Sequence, residues 1–149
     1  MANSKKLEVV TRLIRAAFHR LGTTADVLHA EKGVTGGMRA VMETLVEKGP
    51  QTVPQIARDK MVSRQHIQTL ADQLLASGLA AAEPNPRHKR SSLMTLTRKG
   101  RDLFRAMREP EKKLFAEIAS KLDGDGLEAT RATLQRLNDI LETRLEKGK

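Results

Sequence analysis

One stretch of the sequence, from Ser63 to Gly100, constrains the fold more than any other. It opens with a predicted helix, because the Ser63 hydroxyl can accept a backbone N–H that the first helical turn leaves unpaired. Apolar side chains then recur at helical spacing and give this helix one buried face, formed by Ile67, Leu70, Ala71 and Leu74. Gly78 is predicted to end the helix, so the rest of the stretch must form another kind of structure.

Two short strands and a basic tip are predicted after this helix. Residues 79–83 and 92–96 have the length and bounds of strands. Pro84 and Pro86 lack the N–H that a strand ladder needs, so the connection between the strands is irregular. Three cationic side chains lie at the tip of the hairpin, namely Arg87, Lys89 and Arg90. A helix followed by a basic hairpin is the arrangement of a recognition helix and a wing.

The outer faces of the predicted recognition helix carry side chains suited to duplex DNA. Short hydrogen-bonding groups beside a basic residue, near a helix N-terminus, match an element that lies in the major groove. We therefore predict DNA contacts from Ser63, Arg64, Gln65, His66, Gln68 and Thr69. The predicted wing contacts are Arg87, His88, Lys89 and Arg90, with Arg90 in the minor groove. A solvated polar surface is the alternative at each position.

Two further helices complete a helix-turn-helix core ahead of Ser63. Thr35 is the predicted cap of a helix whose apolar face extends to a Gly-Pro break. Thr52 and Gln55 form a predicted capping box, with a proline in the first turn of the short helix that they open. Only a few residues separate this short helix from the next, which is typical of the helix-turn-helix.

The charge of the chain favours a polyanionic partner. The formal net charge is +9, and the segment from Thr35 to Arg101 contributes +6 of it, as 11 Lys and Arg less 5 Asp and Glu. Between Arg87 and Arg101 there are six basic residues and no Asp or Glu. A basic strip without carboxylates attracts phosphates and is the electrostatic footprint of nucleic-acid binding. A protein that is basic for another reason is the alternative.

The composition argues against several other classes of protein. The sequence has no cysteine, so it predicts no disulfide and no thiolate metal site. It has no long apolar segment near the N-terminus, so we expect no signal peptide, no membrane span and a cytoplasmic location. Three phenylalanines, with no Trp or Tyr, are too few to stack single-stranded nucleic acid. Without a phosphate-binding glycine loop, a nucleophile elbow or paired carboxylates, we expect neither an enzyme nor a cofactor.

The helices at both ends of the chain carry more apolar surface than the central core needs. Leucine and isoleucine recur at helical spacing along residues 4–30, 102–122 and 127–145. Pro110 is expected to kink or divide the middle helix, and the Asp-Gly-Asp-Gly run at 123–126 is expected to break the chain before the last one. We expect these faces to meet a second copy in a two-fold dimer, with two recognition helices about one DNA turn apart. An intramolecular helical cap on a monomer is the alternative.

These elements predict a mainly α fold with a small β-hairpin wing. Residues 34–101 form the predicted winged helix-turn-helix DNA-binding domain. Residues 1–33 and 102–149 form the predicted helical dimerisation region, at the N- and C-terminal ends of the chain.

The first helix also carries candidate ligand-binding residues. Arg12, Arg15 and His19 can line a pocket for an anionic effector, and a solvated helix face is the alternative. No metal site is predicted, because His19 and His29 do not have the i, i+4 spacing with which one helix face holds zinc.

Several local patterns resemble those of the MarR family of bacterial transcriptional regulators, in the same order and at the same separations. Residues 52–57 (TVPQIA) resemble its T-x-x-E-L-A segment. Residues 62–64 (VSR) and 78–79 (GL) resemble its recognition helix and the following strand. Residues 86–91 (PRHKRS) and 96–100 (LTRKG) resemble its wing and the start of the next helix. The resemblance covers essentially the whole chain.

The resemblance implies a homodimeric winged helix-turn-helix regulator, more often a repressor than an activator, on a roughly palindromic operator. It also implies release from DNA when a small molecule binds between the central domain and the dimerisation helices. One position departs from the family pattern, since His88 stands where the wing usually has the Asp that braces its arginine. His88 cannot be an anionic brace, and the wholly basic tip favours phosphate affinity over sequence discrimination. A winged-helix module that binds protein is the alternative function.

Overall fold

The computed structural model describes residues 1–148, which form six α-helices, one 3₁₀ turn and a two-stranded antiparallel hairpin. In chain order they are α1 (Asn3–Leu28), the 3₁₀ turn (Ala30–Lys32), α2 (Gly36–Lys48), α3 (Val53–Lys60), α4 (Arg64–Ala76), β1 (Ala80–Glu83), β2 (Leu93–Leu96), α5 (Arg98–Ala119) and α6 (Gly124–Lys147). The predicted fold class, mainly α with a hairpin wing, is confirmed. The chain divides into two compact units, Met1–Glu109 and the residues from Pro110 onward.

The predicted caps begin the helices of the first unit. The Thr35 side chain caps α2, and Ser63 Oγ accepts the backbone N–H of His66 at 3.1 Å to open α4. Both bonds of the capping box of α3 are present. Gln55 N donates to Thr52 Oγ1 at 3.2 Å, and Thr52 N donates to Gln55 Oε1 at 2.9 Å. Local side-chain chemistry therefore fixes where each helix of the helix-turn-helix starts.

The hairpin is joined to the helical core by an additional pair of backbone hydrogen bonds. Strands β1 and β2 pair antiparallel from Ala80–Leu96 to Glu83–Leu93, and each begins one residue later than predicted. Gln51 N donates to Met94 O at 3.1 Å, and Met94 N donates back to Gln51 O at 2.7 Å. The residue pair therefore ties β2 to the α2–α3 connection, a contact that the sequence did not predict.

One hydrophobic core holds the first unit together. The largest fully buried apolar side chains come from α2, α3, α4 and the first half of α5, namely Val41, Met42, Ile56, Ile67, Leu74 and Met107. Arg39 of α2 lies over the Phe104 ring of α5, with its guanidinium carbon 5.2 Å from the ring centroid. The predicted tri-helical core is confirmed, and α5 packs against it as well.

An exposed ion pair links α2 to α3. Lys48 Nζ hydrogen-bonds to Asp59 Oδ1, and Thr44 Oγ1 donates to the other carboxylate oxygen at 3.5 Å. The hydrogen bond from Lys48 and its positive charge lower the pKa of the Asp59 carboxyl. The charged form of Asp59 is therefore the one that holds the two helices together.

The α4–α5 clamp, as we name the contacts of residues 97–100 with residues 77–79, joins the start of α5 to the end of α4. Thr97 Oγ1 donates to Gly78 O at 2.6 Å, and Thr97 N donates to Leu79 O at 3.0 Å. Gly100 lies so close to this turn that a Cβ there would be 2.0 Å from Leu79 O. Only glycine allows the two backbones to approach in this way.

Three predictions for helices α1, α5 and α6 can be compared with the structure. Of the two outcomes predicted at Pro110, a kink or a division, the division is wrong, since loss of a single N–H leaves the other hydrogen bonds of α5 in place. Helix α6 begins at Gly124 rather than after the Asp-Gly-Asp-Gly run, because Asp123 Oδ2 accepts the Gly126 N–H at 2.7 Å as an N-cap. Helix α1 ends at Leu28, where the 3₁₀ turn replaces its last predicted residues.

Replacing Gly100 with alanine should destabilise the first unit, because the new methyl group would overlap the Leu79 carbonyl oxygen. Relieving this overlap requires the α4–α5 clamp to open, so we expect the free energy of unfolding to fall by about 3 kcal/mol. Chemical denaturation followed by circular dichroism measures the loss.

The control for this substitution is Gly124→Ala, since no described non-neighbouring atom lies within 4 Å of its added methyl position. We expect the control to change stability by less than about 1 kcal/mol. Equally small effects at Gly100 and Gly124 would contradict the close approach.

Candidate DNA-binding surface

The six side chains predicted for the recognition helix are all exposed at the N-terminal half of α4 or its cap. Ser63 uses an oxygen lone pair for the cap, so its O–H proton can still be donated to a phosphate oxygen. The side chains of Arg64, Gln65 and His66 make no hydrogen bond or ion pair with any other residue in the range 1–148. These three side chains are therefore available to a ligand.

Two other side chains of this helix are already hydrogen-bonded within α4. Gln68 Nε2 donates to Asp72 Oδ1 at 2.9 Å. Thr69 Oγ1 donates to Gln65 O at 3.1 Å, which leaves its oxygen as an acceptor and its methyl group exposed. Asp72 was not among the residues singled out from the sequence, although its i+4 spacing from Gln68 is the signal that would have found it.

A groove of about 490 Å³ separates α4 from the wing, and both elements line it. Arg64, Gln65 and Gln68 contribute from α4, while Arg90 and Ser91 contribute from the wing. The structure thus brings the predicted recognition helix and Arg90 to the same groove. We call this the α4–wing groove.

A second groove, of about 650 Å³, lies between the start of α3, the start of α4 and the wing tip. Arg58, Arg64, Arg87 and His88 line it, so it is strongly basic as well. Arg58 is a candidate contact that the sequence did not single out, because an arginine near the end of a short helix has no distinguishing pattern.

The wing tip is shaped by backbone turns rather than by an acidic side chain. Asn85 accepts twice, through Oδ1 from Arg87 N at 3.1 Å and through its carbonyl from His88 N at 3.2 Å. The Arg90 side chain forms no hydrogen bond or ion pair within residues 1–148. The wing acid Glu83 lies 3.5 Å from the Thr95 hydroxyl, on the strands rather than at the tip.

The proposed effector residues of α1 are exposed, and a cleft elsewhere in the first unit offers a more concave site. Arg12, Arg15 and His19 all lie on the surface of α1. The cleft has a volume of about 380 Å³ and lies between α2, β2 and α5. Its lining combines buried apolar residues with arginines spaced along one face of α5, and includes Leu45, Leu96, Phe104, Arg101, Arg105 and Arg108.

The arginines of this α5 cleft are held to different degrees. Arg101 Nη1 donates to Leu96 O at 2.8 Å, and Arg105 Nη1 lies 3.6 Å from Asp102 Oδ1. Arg108 forms no such contact with the described part of the chain. The spacing 101, 105 and 108 places all three on one helix face, which is a signal that the sequence contains.

Among residues 1–148, no helix has both the length and the apolar character needed to cross a lipid bilayer.

A three-helix core whose last helix is followed by a basic hairpin defines a winged helix-turn-helix protein. No family model matches the chain. The uncharacterized protein Rv2011c of Mycobacterium tuberculosis is 32% identical over 131 residues, covering 86% of this chain and 91% of that protein. The transcriptional activatory protein BadR of Rhodopseudomonas palustris is 31% identical over 160 aligned positions, covering 99% of this chain and 87% of that protein.

Solved structures show the same fold. The MarR family transcription regulator SP03579 superposes with a TM-score of 0.82 at 23% identity, covering 96% of this chain and 95% of that one. Staphylococcus aureus MarR, solved in complex with salicylate and kanamycin, gives a TM-score of 0.74 at 17% identity, covering 95% and 99%. The chain belongs to the MarR family of transcriptional regulators, as its sequence patterns indicated.

Proposed function

We propose that the chain is a homodimeric transcriptional repressor, not an enzyme, and that it binds a pseudo-palindromic operator in duplex DNA. The observation that carries this proposal is the α4–wing groove, in which Arg64, Gln68 and Arg90 lie together. A helix N-terminus with exposed hydrogen-bonding side chains suits the major groove, and a basic hairpin beside it suits the adjacent minor groove. Salt-dependent binding to duplex DNA separates this function from that of a protein-binding module.

The predicted domain boundaries become part of this proposal. Residues 34–101 would contact the operator, while residues 1–33 and 102–149 would form the dimer. Helices α1 and α6 each have no buried residue, although both carry exposed large apolar side chains. Phe18 on α1 is 74% exposed and Leu145 on α6 is 70% exposed. A second copy of the chain would remove this apolar surface from water and set two α4 helices at a fixed spacing.

Repression follows if the dimer covers DNA that the transcription machinery must occupy. The relative from Rhodopseudomonas palustris is named an activator. Expression of a reporter gene downstream of the operator, measured with and without this protein, distinguishes repression from activation. Lower expression with the protein supports repression, and higher expression contradicts it.

Arg90→Ala should weaken operator binding by about tenfold to a hundredfold, because it removes a cation expected to lie in the minor groove. The operator is first isolated by selecting fragments of the source genome that the protein retains. Fluorescence anisotropy then measures affinity over a salt series, where the wild type should lose about 10³-fold between about 50 and 200 mM salt.

Arg136→Ala, at an exposed arginine of α6, serves as the control and should bind as the wild type does. Light scattering should show that both variants keep the oligomeric state of the wild type. Unchanged affinity of Arg90→Ala would contradict the wing contact, and salt-independent or absent duplex binding by the wild type would contradict the DNA-binding function.

Leu141→Asp should convert the dimer to a monomer of 16.5 kDa. Leu141 is 47% exposed on the apolar face of α6, and a carboxylate there would be buried without a partner in the dimer. Sedimentation velocity measures the mass. Thr143→Asp is the matched control, because two residues along a helix is the opposite face, and it should remain dimeric. A monomeric wild type would contradict the dimer.

We further propose that a small amphipathic anion regulates DNA binding from the α5 cleft. The cleft pairs apolar walls with Arg105 and Arg108, which is the combination that holds a ring bearing a carboxylate. The Staphylococcus aureus relative was solved with salicylate, an anion of this class. The residues predicted from the sequence, Arg12, Arg15 and His19 on α1, line none of the three clefts described above.

A pair of double variants distinguishes the two candidate effector sites. Salicylate is the probe, calorimetry measures its binding, and anisotropy measures release of the operator. Arg105→Ala with Arg108→Ala should reduce salicylate affinity by about tenfold or more, since each arginine supplies a charge-assisted hydrogen bond. Arg12→Ala with Arg15→Ala should leave it unchanged. A loss of salicylate affinity in the α1 variant alone would show that the site lies on α1. No binding of salicylate by the wild type would contradict the proposed anion class.

A further inference from the structure

The hydrogen bond between Gln68 and Asp72 on α4 has a consequence for base recognition. Both side chains are exposed on the recognition helix, and Gln68 Nε2 lies 2.9 Å from Asp72 Oδ1. A charged carboxylate can only accept hydrogen bonds. The Gln68 amide must therefore turn its NH₂ group, and not its carbonyl oxygen, toward Asp72.

This contact changes what the Gln68 amide can offer to a base. A free glutamine amide has two N–H donors and a carbonyl acceptor. With one N–H given to Asp72, a single N–H and the oxygen Oε1 remain. The Gln68 amide, which when free could offer two donors to a base, thus offers one donor and one acceptor.

The remaining pair matches adenine and mismatches guanine in the major groove. Adenine presents an acceptor at N7 beside a donor at N6, which pair with the N–H and the carbonyl oxygen of Gln68. Guanine presents two acceptors, N7 and O6, so one of them would face Oε1 without a hydrogen bond. An amide with both donors free can satisfy guanine, whereas the amide held by Asp72 cannot.

The Gln68–Asp72 pair matters for base recognition because it lies on the recognition helix, and not because such pairs are unusual. The same i, i+4 pair occurs on α6, where Gln135 Nε2 donates to Asp139 Oδ1 at 3.1 Å. Such pairs stabilise helices modestly wherever they lie. Asp72, however, places a negative charge on the helix that is proposed to approach phosphates, and this charge opposes DNA binding. With respect to DNA binding, Asp72 would therefore contribute to specificity and not to affinity.

We propose that Asp72 is a positioning residue that orients Gln68 to recognise adenine, at one position in each half of the operator. The inference rests on the proposed DNA-binding function. It also names a specificity determinant that Gln68 alone would not provide.

Selection of bound duplexes from a random library, using the full-length protein, tests the proposal. The wild type should enrich adenine over guanine at one position in each half-site. Anisotropy with duplexes that differ only there should give a preference of about tenfold or more. Gln68→Ala should lose this preference.

Asp72→Ala and Asp72→Asn should lower the adenine preference to less than about threefold, while affinity for other duplexes stays the same or increases because a negative charge is gone. A loss of mere helix stability would not raise affinity and reduce specificity together. The double variant Gln135→Ala with Asp139→Ala removes the equivalent pair from α6 and should keep the wild-type preference.

The outcomes separate the two levels of the proposal. If the wild type enriches a motif and Asp72→Ala keeps its adenine preference, the role of Asp72 is overturned while DNA binding stands. If the wild type enriches a motif without such an adenine, the inference is overturned in the same way. If the wild type enriches no duplex at all, the proposed function itself is overturned.

Discussion

The position of the recognition helix depends on the α4–α5 clamp. Thr97 donates to two carbonyl groups in the turn just after α4, those of Gly78 and Leu79, and Lys99 Nζ donates to Ser77 O, at the C-cap of α4, at 3.0 Å. These bonds satisfy backbone carbonyls that would otherwise need water. The ammonium also complements the negative end of the helix dipole. Since Gly100 lets the backbones touch, α4 has little freedom to rotate independently of α5.

If an anion regulates the protein from the α5 cleft as proposed, this attachment would connect the cleft to the proposed DNA-binding surface. Arg101 lines the cleft and also donates to Leu96 O at the end of β2, one residue before Thr97 begins the clamp. An anion that draws the Arg101 guanidinium into the cleft would compete with that carbonyl. The clamp and the hairpin share this short segment, so in the proposed regulation a shift there would affect both α4 and the wing.

Features controlled by neighbouring residues were predictable from the sequence, and those that depend on the folded chain were not. The caps at Ser63 and Thr52 follow from side chains three residues apart, and both predictions are confirmed. The two hydrogen bonds between Gln51 and Met94 join residues that are far apart along the chain, so no local sequence pattern predicts them. For the site, the sequence located the polar face of α4 but could not show that Asp72 engages one of its side chains, because that depends on rotamers.

In the proposed complex with DNA, the wing tip and α4 would have different roles, the tip contributing mainly to affinity and α4 to specificity. The tip of this protein has His88 where relatives in the family usually have an acid, and the structure holds its shape with the Asn85 turns. A tip that carries several cations attracts DNA phosphates regardless of the base sequence. Under the proposed function, discrimination between bases would then come from α4, where the exposed carboxylate of Asp72 accepts a hydrogen bond from Gln68. In this proposal, the wing would supply electrostatic attraction to the phosphates and the recognition helix would supply sequence selection.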